Sequence, residues 1–100
     1  KNLKPSWFGF PILLDTKYKK KKEKFLNFLN KNRVETRPII SGNFVNQPAI
    51  NLYNIKYDLK KLHNSKQIDK RGFFIGLPTT RLSDKVVKKL AELLLKVSKF

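Results

Sequence analysis

The residues best suited to bind a ligand lie in one short segment, Glu35 to Phe44. Arg37 has a planar guanidinium with five N–H donors, a geometry that matches the oxygens of a phosphate or a carboxylate. Gly42 allows the backbone to approach a ligand closely, and the amide of Asn43 can both donate and accept hydrogen bonds. By residue chemistry alone, an Arg37 paired with Glu35 fits this pattern as well as an Arg37 that binds a ligand.

No other part of the sequence has a recognisable catalytic or metal-binding motif. The chain of 100 residues contains no cysteine, which excludes disulfides, thiolate metal ligands and cysteine nucleophiles. Its one histidine, His63, cannot form a metal cluster or a catalytic triad alone, and we interpret it as a solvated loop residue. A glycine-rich phosphate loop and a closely spaced carboxylate pair are also absent from the sequence. We therefore predict no catalytic residue and no metal site in this chain.

The net charge of +16 indicates a polyanionic partner at first sight. However, 19 of the 23 basic residues are lysine, whereas base recognition and bidentate phosphate contacts favour arginine. A helix would spread the run Lys19 to Lys22 around its surface instead of directing it at one partner. The lysines occur with nine asparagines, a composition that an AT-biased coding sequence produces without selection for any partner. A basic module that binds nucleic acid or another polyanion remains the alternative function.

The longest apolar run, Trp7 to Leu14, is far shorter than the roughly 20 residues that cross a bilayer. The start of the sequence lacks a signal-peptide cleavage pattern, so we expect a cytoplasmic protein without a membrane partner. Methionine is absent even from position 1, which fits a fragment of a longer protein.

The apolar pattern and the turn residues predict three strands. These lie at Trp7–Leu14, Arg33–Ile39 and Phe73–Leu77, where aromatic and β-branched residues are concentrated. Pro11 cannot donate a hydrogen bond to a neighbouring strand, and the first strand is therefore expected at a sheet edge or with a bulge.

Capping residues predict the helices between and after these strands. A helix over about Lys17 to Asn30 would be capped by Asp15 or Thr16, and a final helix would be capped by Ser83. Further predicted features are short helices that begin at Pro48 and Ser65, the second ending at Gly72, and a loop at Ser41–Asn43.

These elements predict an α/β (α+β) fold with two layers, in which helices cover one face of a small, mainly antiparallel sheet. Residues 1–100 are expected to form a single domain, since 40% of them are hydrophobic and can supply one small core. The aromatic residues of the strands could also form a platform on which nucleic-acid bases stack. We interpret them as core residues, because the chain has few other large side chains to fill a core.

Four blocks occur in a fixed order along the sequence: Ser6-Trp7-Phe8-Gly9-Phe10-Pro11, Thr36-Arg37-Pro38, Gln47-Pro48 and Gly72-Phe73-Phe74-Ile75-Gly76-Leu77-Pro78. Together they resemble the DegT/DnrJ/StrS family of nucleotide-sugar aminotransferases and dehydratases. The resemblance covers about residues 6 to 97. Similarity to this family implies the small carboxy-terminal domain of the aspartate-aminotransferase fold, and hence that residues 1–100 are a piece of a longer enzyme.

The resemblance also implies a cofactor and a substrate. Enzymes of this family use pyridoxal phosphate or pyridoxamine phosphate to modify nucleotide-activated sugars. A lipopolysaccharide or O-antigen pathway, a 4-keto-6-deoxy sugar and a homodimer with shared active sites are implied here. The lysine that binds the cofactor in the aminotransferases, and the histidine that replaces it in the dehydratases, belong to the upstream large domain. This chain alone is therefore expected to hold no cofactor and to be inactive.

Two features of the sequence resemble different branches of the family. Ser41-Gly42-Asn43-Phe44 is similar to the 3-dehydratases, whereas Leu77-Pro78 is similar to the aminotransferases and Pro78–Arg81 matches neither. The dehydratase branch is therefore favoured. The substrate-binding residues that the resemblance implies are Arg37, Asn43 and Phe44, with Gly42 and Gly76 as backbone positions near the ligand.

Overall fold

A three-stranded antiparallel sheet and four α-helices make up residues 2–100, the part of the chain that this computed structural model describes. The strands are β1 (Gly9–Leu13), β2 (Thr36–Arg37) and β3 (Gly72–Gly76). The helices are α1 (Lys22–Lys31), α2 (Pro48–Leu52), α3 (His63–Arg71) and α4 (Asp84–Leu95). Short 3-10 helices lie at Thr16–Lys21, Phe44–Asn46, Leu59–Leu62 and Lys96–Lys99. The predicted α+β fold with a small antiparallel sheet is confirmed.

The most apolar strand, β3, lies in the middle of the sheet, with the strand order β1-β3-β2. Phe74 of β3 lies opposite Pro11 of β1 and opposite Arg37 of β2. Pro11 thus occupies an edge strand, as predicted from its missing N–H donor. Successive strand residues point to opposite faces, so Phe73 and Ile75 share the face opposite to that of Phe74.

The core lies between this face of the sheet and helices α1 and α4. Phe25 and Leu29 of α1 and Phe73 of β3 are at most 1% exposed, and Leu93 of α4 is 6% exposed. The rings of Phe25 and Phe73 meet edge to face, with their centroids 6.2 Å apart. Such contacts add to the hydrophobic stabilisation that the buried area provides.

The other face of the sheet is apolar and open. Leu13 is 51% exposed, and Trp7 and Phe8 before β1 are 63% and 73% exposed. Phe10, whose partner Ile75 belongs to the core, is still 53% exposed because β1 is an edge strand. The interpretation of all the strand aromatics as core residues is therefore wrong for Trp7, Phe8 and Phe10.

Helix boundaries follow local capping where a capping residue exists. The Ser83 side chain caps α4, and α2 begins at Pro48, both as predicted. In contrast, α3 begins at His63, before the predicted cap Ser65, and α1 follows a 3-10 segment where one longer helix was expected. Among residues 2–100, no helix has the length and apolar character needed to span a membrane.

Asp15 caps the 3-10 helix that precedes α1, and its Oδ1 accepts a hydrogen bond from the Lys17 backbone N–H at 3.0 Å. This hydrogen bond holds the pKa of Asp15 below its ordinary value of 3.8. Because the folded pKa is lower than the unfolded one, the carboxylate stabilises the fold above about pH 4. That contribution is lost as the pH falls through the lowered folded pKa.

We expect Asp15→Asn to change the melting temperature little at neutral pH, because asparagine also caps helices well. Below about pH 4 the variant should lose less stability than the wild type, since it has no carboxylate to protonate at this position. Thermal unfolding at a series of pH values measures the difference. Parallel acid profiles for the two proteins would show that the Asp15 hydrogen bond contributes nothing.

Candidate functional site

A groove of about 580 Å³ opens between the carboxyl end of α1, the ends of β2 and β3, and helix α4. Buried Ile75 and Leu93 form part of its floor, whereas the exposed side chains of Arg33, Arg37 and Lys89 form a basic rim. Its volume falls within the range of about 300–1,000 Å³ that is typical of small-molecule sites. This combination suits a ligand with both an apolar and an anionic part.

Arg37 reaches the groove from β2 and forms an ion pair with Glu35. Its Nε and Nη2 atoms donate to the same Glu35 oxygen, Oε1, at 3.0 Å and 2.7 Å. The side chains of Arg37 and Glu35 are 65% and 74% exposed, and such surface pairs contribute only about 0–1 kcal/mol. Of the two alternatives that the sequence allowed for Arg37, the ion pair with Glu35 is therefore present. This ion pair is weak enough for a ligand to displace it.

Gly76 lines the same groove from the last position of β3. It is exposed, and a Cβ atom at this position would meet no other atom within 4 Å. The structure thus brings together Arg37 and Gly76, two of the five residues predicted to contact substrate.

The other three predicted residues, Gly42, Asn43 and Phe44, follow β2 and are not among the groove-lining residues. Asn43 is 5% exposed, the most buried polar residue of the described chain, whereas Phe44 is 52% exposed. Gly42 has a φ of 57°, a left-handed conformation that glycine adopts without strain. The five predicted positions therefore form two clusters, one in the groove and one in the loop after β2.

The loop after β2 is held against α3 by Asp69. The Asn46 side-chain amide donates to Asp69 Oδ2 at 3.3 Å, and Lys22 Nζ donates to the Asp69 backbone carbonyl at 3.2 Å. Burial lowers the pKa of Lys22, and the Asp69 carboxylate partly opposes that shift. A Cβ atom on Gly42 would collide with the Asp69 carboxylate. A larger side chain at this position therefore requires the Asp69 side chain to move.

We expect Gly42→Ala to destabilise the fold by more than about 1–2 kcal/mol, since the left-handed conformation alone costs about this much for an L-residue. The collision with Asp69 adds to that cost. Chemical unfolding of Gly42→Ala, Asp69→Ala and the double variant measures the coupling between the two sites. The double variant should be more stable than the sum of the single effects predicts, because removal of the carboxylate relieves the collision. Strict additivity would contradict this contact.

Three residues that matter to these clusters were missed by sequence reasoning: Arg33, Lys89 and Asp69. Arg33, two residues after the end of α1, has a φ of 62°, and no feature of the sequence predicted a left-handed conformation at this arginine. For Lys89, the sequence feature that could have indicated its position is the next residue, Leu90, which lines the groove from α4. Asp69 gave no local signal, because its contacts come from distant parts of the chain.

The groove does not fit a covalently held pyridoxal phosphate, which requires a lysine activated by burial. Lys89, the lysine that lines the groove, is exposed and so lacks this activation. His63 is also exposed, at the start of α3, and does not line the groove. Within residues 2–100, no group of three or more His, Cys, Asp or Glu side chains is placed to hold a metal ion.

Comparison with known proteins finds similarity to enzymes of nucleotide-sugar metabolism. The chain is 36% identical over 92 residues to the lipopolysaccharide biosynthesis protein RfbH of Salmonella typhimurium, covering 88% of this chain. It is 32% identical over 98 residues to a dTDP-4-dehydro-2,6-dideoxy-D-glucose 3-dehydratase of Saccharopolyspora spinosa, covering 94% of this chain. A GDP-4-keto-6-deoxy-D-mannose 3-dehydratase of Escherichia coli is 28% identical over 81 residues, or 81% of this chain.

The chain spans only 21% of the length of each of these relatives. No protein-family model and no solved structure matches it.

Proposed function

We propose that this chain, which is similar to a lipopolysaccharide biosynthesis protein and to nucleotide-sugar 3-dehydratases, is the carboxy-terminal small domain of an enzyme of the DegT/DnrJ/StrS family. The complete enzyme would use pyridoxal phosphate or pyridoxamine phosphate to modify a nucleotide-activated 4-keto-6-deoxy sugar for lipopolysaccharide or O-antigen synthesis. It would act in the cytoplasm as a homodimer. The observation that carries this proposal is the sequence match, which extends over 81% to 94% of the chain in three relatives.

The contacts in the structure support a role in ligand binding without catalysis. Arg37 presents an exposed guanidinium at the groove rim, and Gly76 leaves open space beside it. The loop after β2 presents Phe44 to solvent while Asn43 is buried. In this proposal the groove and the exposed Phe44 face the substrate in the complete enzyme, buried Asn43 supports the loop from within, and the cofactor is bound by the large domain.

The open face of the sheet supports the proposal that the domain packs against another part of a larger enzyme. Leu13, Trp7 and Phe8 are each more than half exposed, together with Ile40 at 81%. Soluble monomers rarely leave large contiguous apolar patches in contact with water.

Within this family we favour 3-dehydration over transamination. The Gly42-Asn43 pair is similar to the dehydratase branch, and two of the relatives described above are named 3-dehydratases. The sequence of the complete protein tests this assignment. A histidine at the cofactor position of an upstream large domain would support dehydration, and a lysine would indicate transamination. Absence of any large pyridoxal-phosphate domain would refute the whole proposal.

A further inference from the structure

We propose that the groove between α4 and the ends of β2 and β3 binds the nucleoside diphosphate part of the substrate. This inference rests on the proposed function, because the ligand is taken to be a nucleotide sugar. In it, Arg33, Arg37 and Lys89 contact the two phosphates, and the apolar part of the groove receives the base.

The charge of the groove is complementary to a diphosphate. Its lining has three cations, Arg33, Arg37 and Lys89, and one carboxylate, Glu35, which leaves an excess of two positive charges. A diphosphate that links a nucleoside to a sugar has one negative charge on each phosphate group. Arginine side chains bind such oxygens in a bidentate manner, and an anion can displace the weak contact between Arg37 and Glu35.

Arg33 is placed at this rim by an uncommon backbone conformation. Its φ of 62° ends α1, at a position where glycine is usually found, and its N–H donates to the Asn30 carbonyl at 3.0 Å. The Arg33 side chain lines the groove and makes no hydrogen bond or ion pair within residues 2–100. A glycine would suit this backbone better, so the arginine here supports a role for the side chain that lines the groove.

The groove also offers a surface for a flat base. Phe8 and Phe74 line it, and their rings meet edge to face with centroids 6.0 Å apart. Phe8 is 73% exposed, so its ring is accessible to a ligand. Stacking of bases on aromatic rings tolerates different bases, which fits the two nucleotides, dTDP and GDP, in the names of the relatives.

Titration calorimetry of the complete natural protein with GDP and with dTDP tests this inference. Arg33→Gly removes the whole side chain but suits the left-handed backbone at this position, so a loss of affinity in this variant is not expected to come from unfolding. We expect Arg33→Gly and Lys89→Gln each to raise the Kd of the better-binding nucleotide by about tenfold, because each removes a charge-assisted contact. Lys88→Gln is the matched control, since exposed Lys88 does not line the groove, and its Kd should equal that of the wild type.

Unchanged Kd values for Arg33→Gly and Lys89→Gln would overturn the inference, as would a wild-type protein that binds neither nucleotide. An equal loss of affinity in Lys88→Gln would also overturn it, because the effect would then be one of net charge. Turnover of a nucleotide sugar, measured on the same proteins, separates this inference from the proposed function. An active enzyme with unchanged Kd values refutes the groove alone, whereas weakened nucleotide binding in an inactive protein supports the groove and refutes the proposed function.

Discussion

In the nucleotide-sugar enzyme proposed above, Arg37→Ala is expected to lower kcat/KM by about 10-fold to 100-fold. Hydrogen bonds to a charged group contribute about 1.5–3 kcal/mol, and this variant removes one of the two arginine side chains that line the groove. It also leaves the Glu35 carboxylate at the rim without its partner, where it repels an anionic substrate. Steady-state kinetics measure the effect.

Two further variants separate substrate binding by Arg37 from its ion pair with Glu35. Glu35→Gln should retain or slightly raise kcat/KM, because it frees the guanidinium and removes a negative charge from the groove. Arg37→Lys should not restore activity, since an ammonium group cannot reproduce the planar fork. If Arg37→Ala is as active as the wild type, Arg37 forms an ion pair with Glu35 without binding substrate, and the proposed role is wrong.

Phe73→Ala is expected to reduce the free energy of unfolding by about 3–5 kcal/mol, the usual cost of removing a buried phenylalanine ring. Phe73 is 0% exposed in the central strand and contacts Phe25 across the core. A loss of this size is a large part of the total stability of a typical domain, which is about 5–15 kcal/mol. Urea unfolding measures it.

Phe10→Ala is the matched control for this substitution. Phe10 has the same side chain and lies on the same face of the sheet, yet it is 53% exposed at the edge strand. We expect it to cost less than about half as much, because half of its ring is already in contact with water. Equal losses for the two variants would contradict the position of the core between β3 and α1.

The parts of the fold that sequence predicted well depend on local chemistry. Pro11 cannot donate a hydrogen bond wherever it is placed, so its strand was expected at a sheet edge or with a bulge, and β1 lies at the edge. The effects of Ser83 and Pro48 are similarly local, because each fixes the start of a helix within one turn of its own position. The predicted strand Arg33–Ile39 failed because its length depends on pairing with β3, and just two of its residues pair.

The candidate site was predictable only in part, for a related reason. The sequence placed Glu35 two residues from Arg37, and the structure shows their pairing. The groove itself joins the end of α1 to α4, and no spacing along the chain reveals that Arg33 and Lys89 share it. The same holds for Asp69, which belongs to α3 and whose carboxylate lies next to Gly42.

The lysine run that contributes to the high positive charge does not form one exposed basic surface. Within the run Lys19 to Lys22, the first two side chains are exposed, whereas Lys21 and Lys22 are half-buried. Lys22 turns inward and donates to the Asp69 carbonyl. The run therefore serves partly in packing, which weakens the case for a surface dedicated to nucleic acid.

The most direct test of the proposed function is the reaction of the complete protein with GDP-4-keto-6-deoxy-D-mannose, the substrate in the name of the Escherichia coli relative. The protein is supplied with an excess of pyridoxamine phosphate, whose conversion to pyridoxal phosphate provides the two electrons needed to replace a hydroxyl group by hydrogen. The sugar product is analysed by mass spectrometry and NMR. We expect loss of the 3-hydroxyl group, dependent on the cofactor. A sugar recovered unchanged, also when the dTDP-linked substrate of the Saccharopolyspora spinosa relative is used, would contradict the assignment.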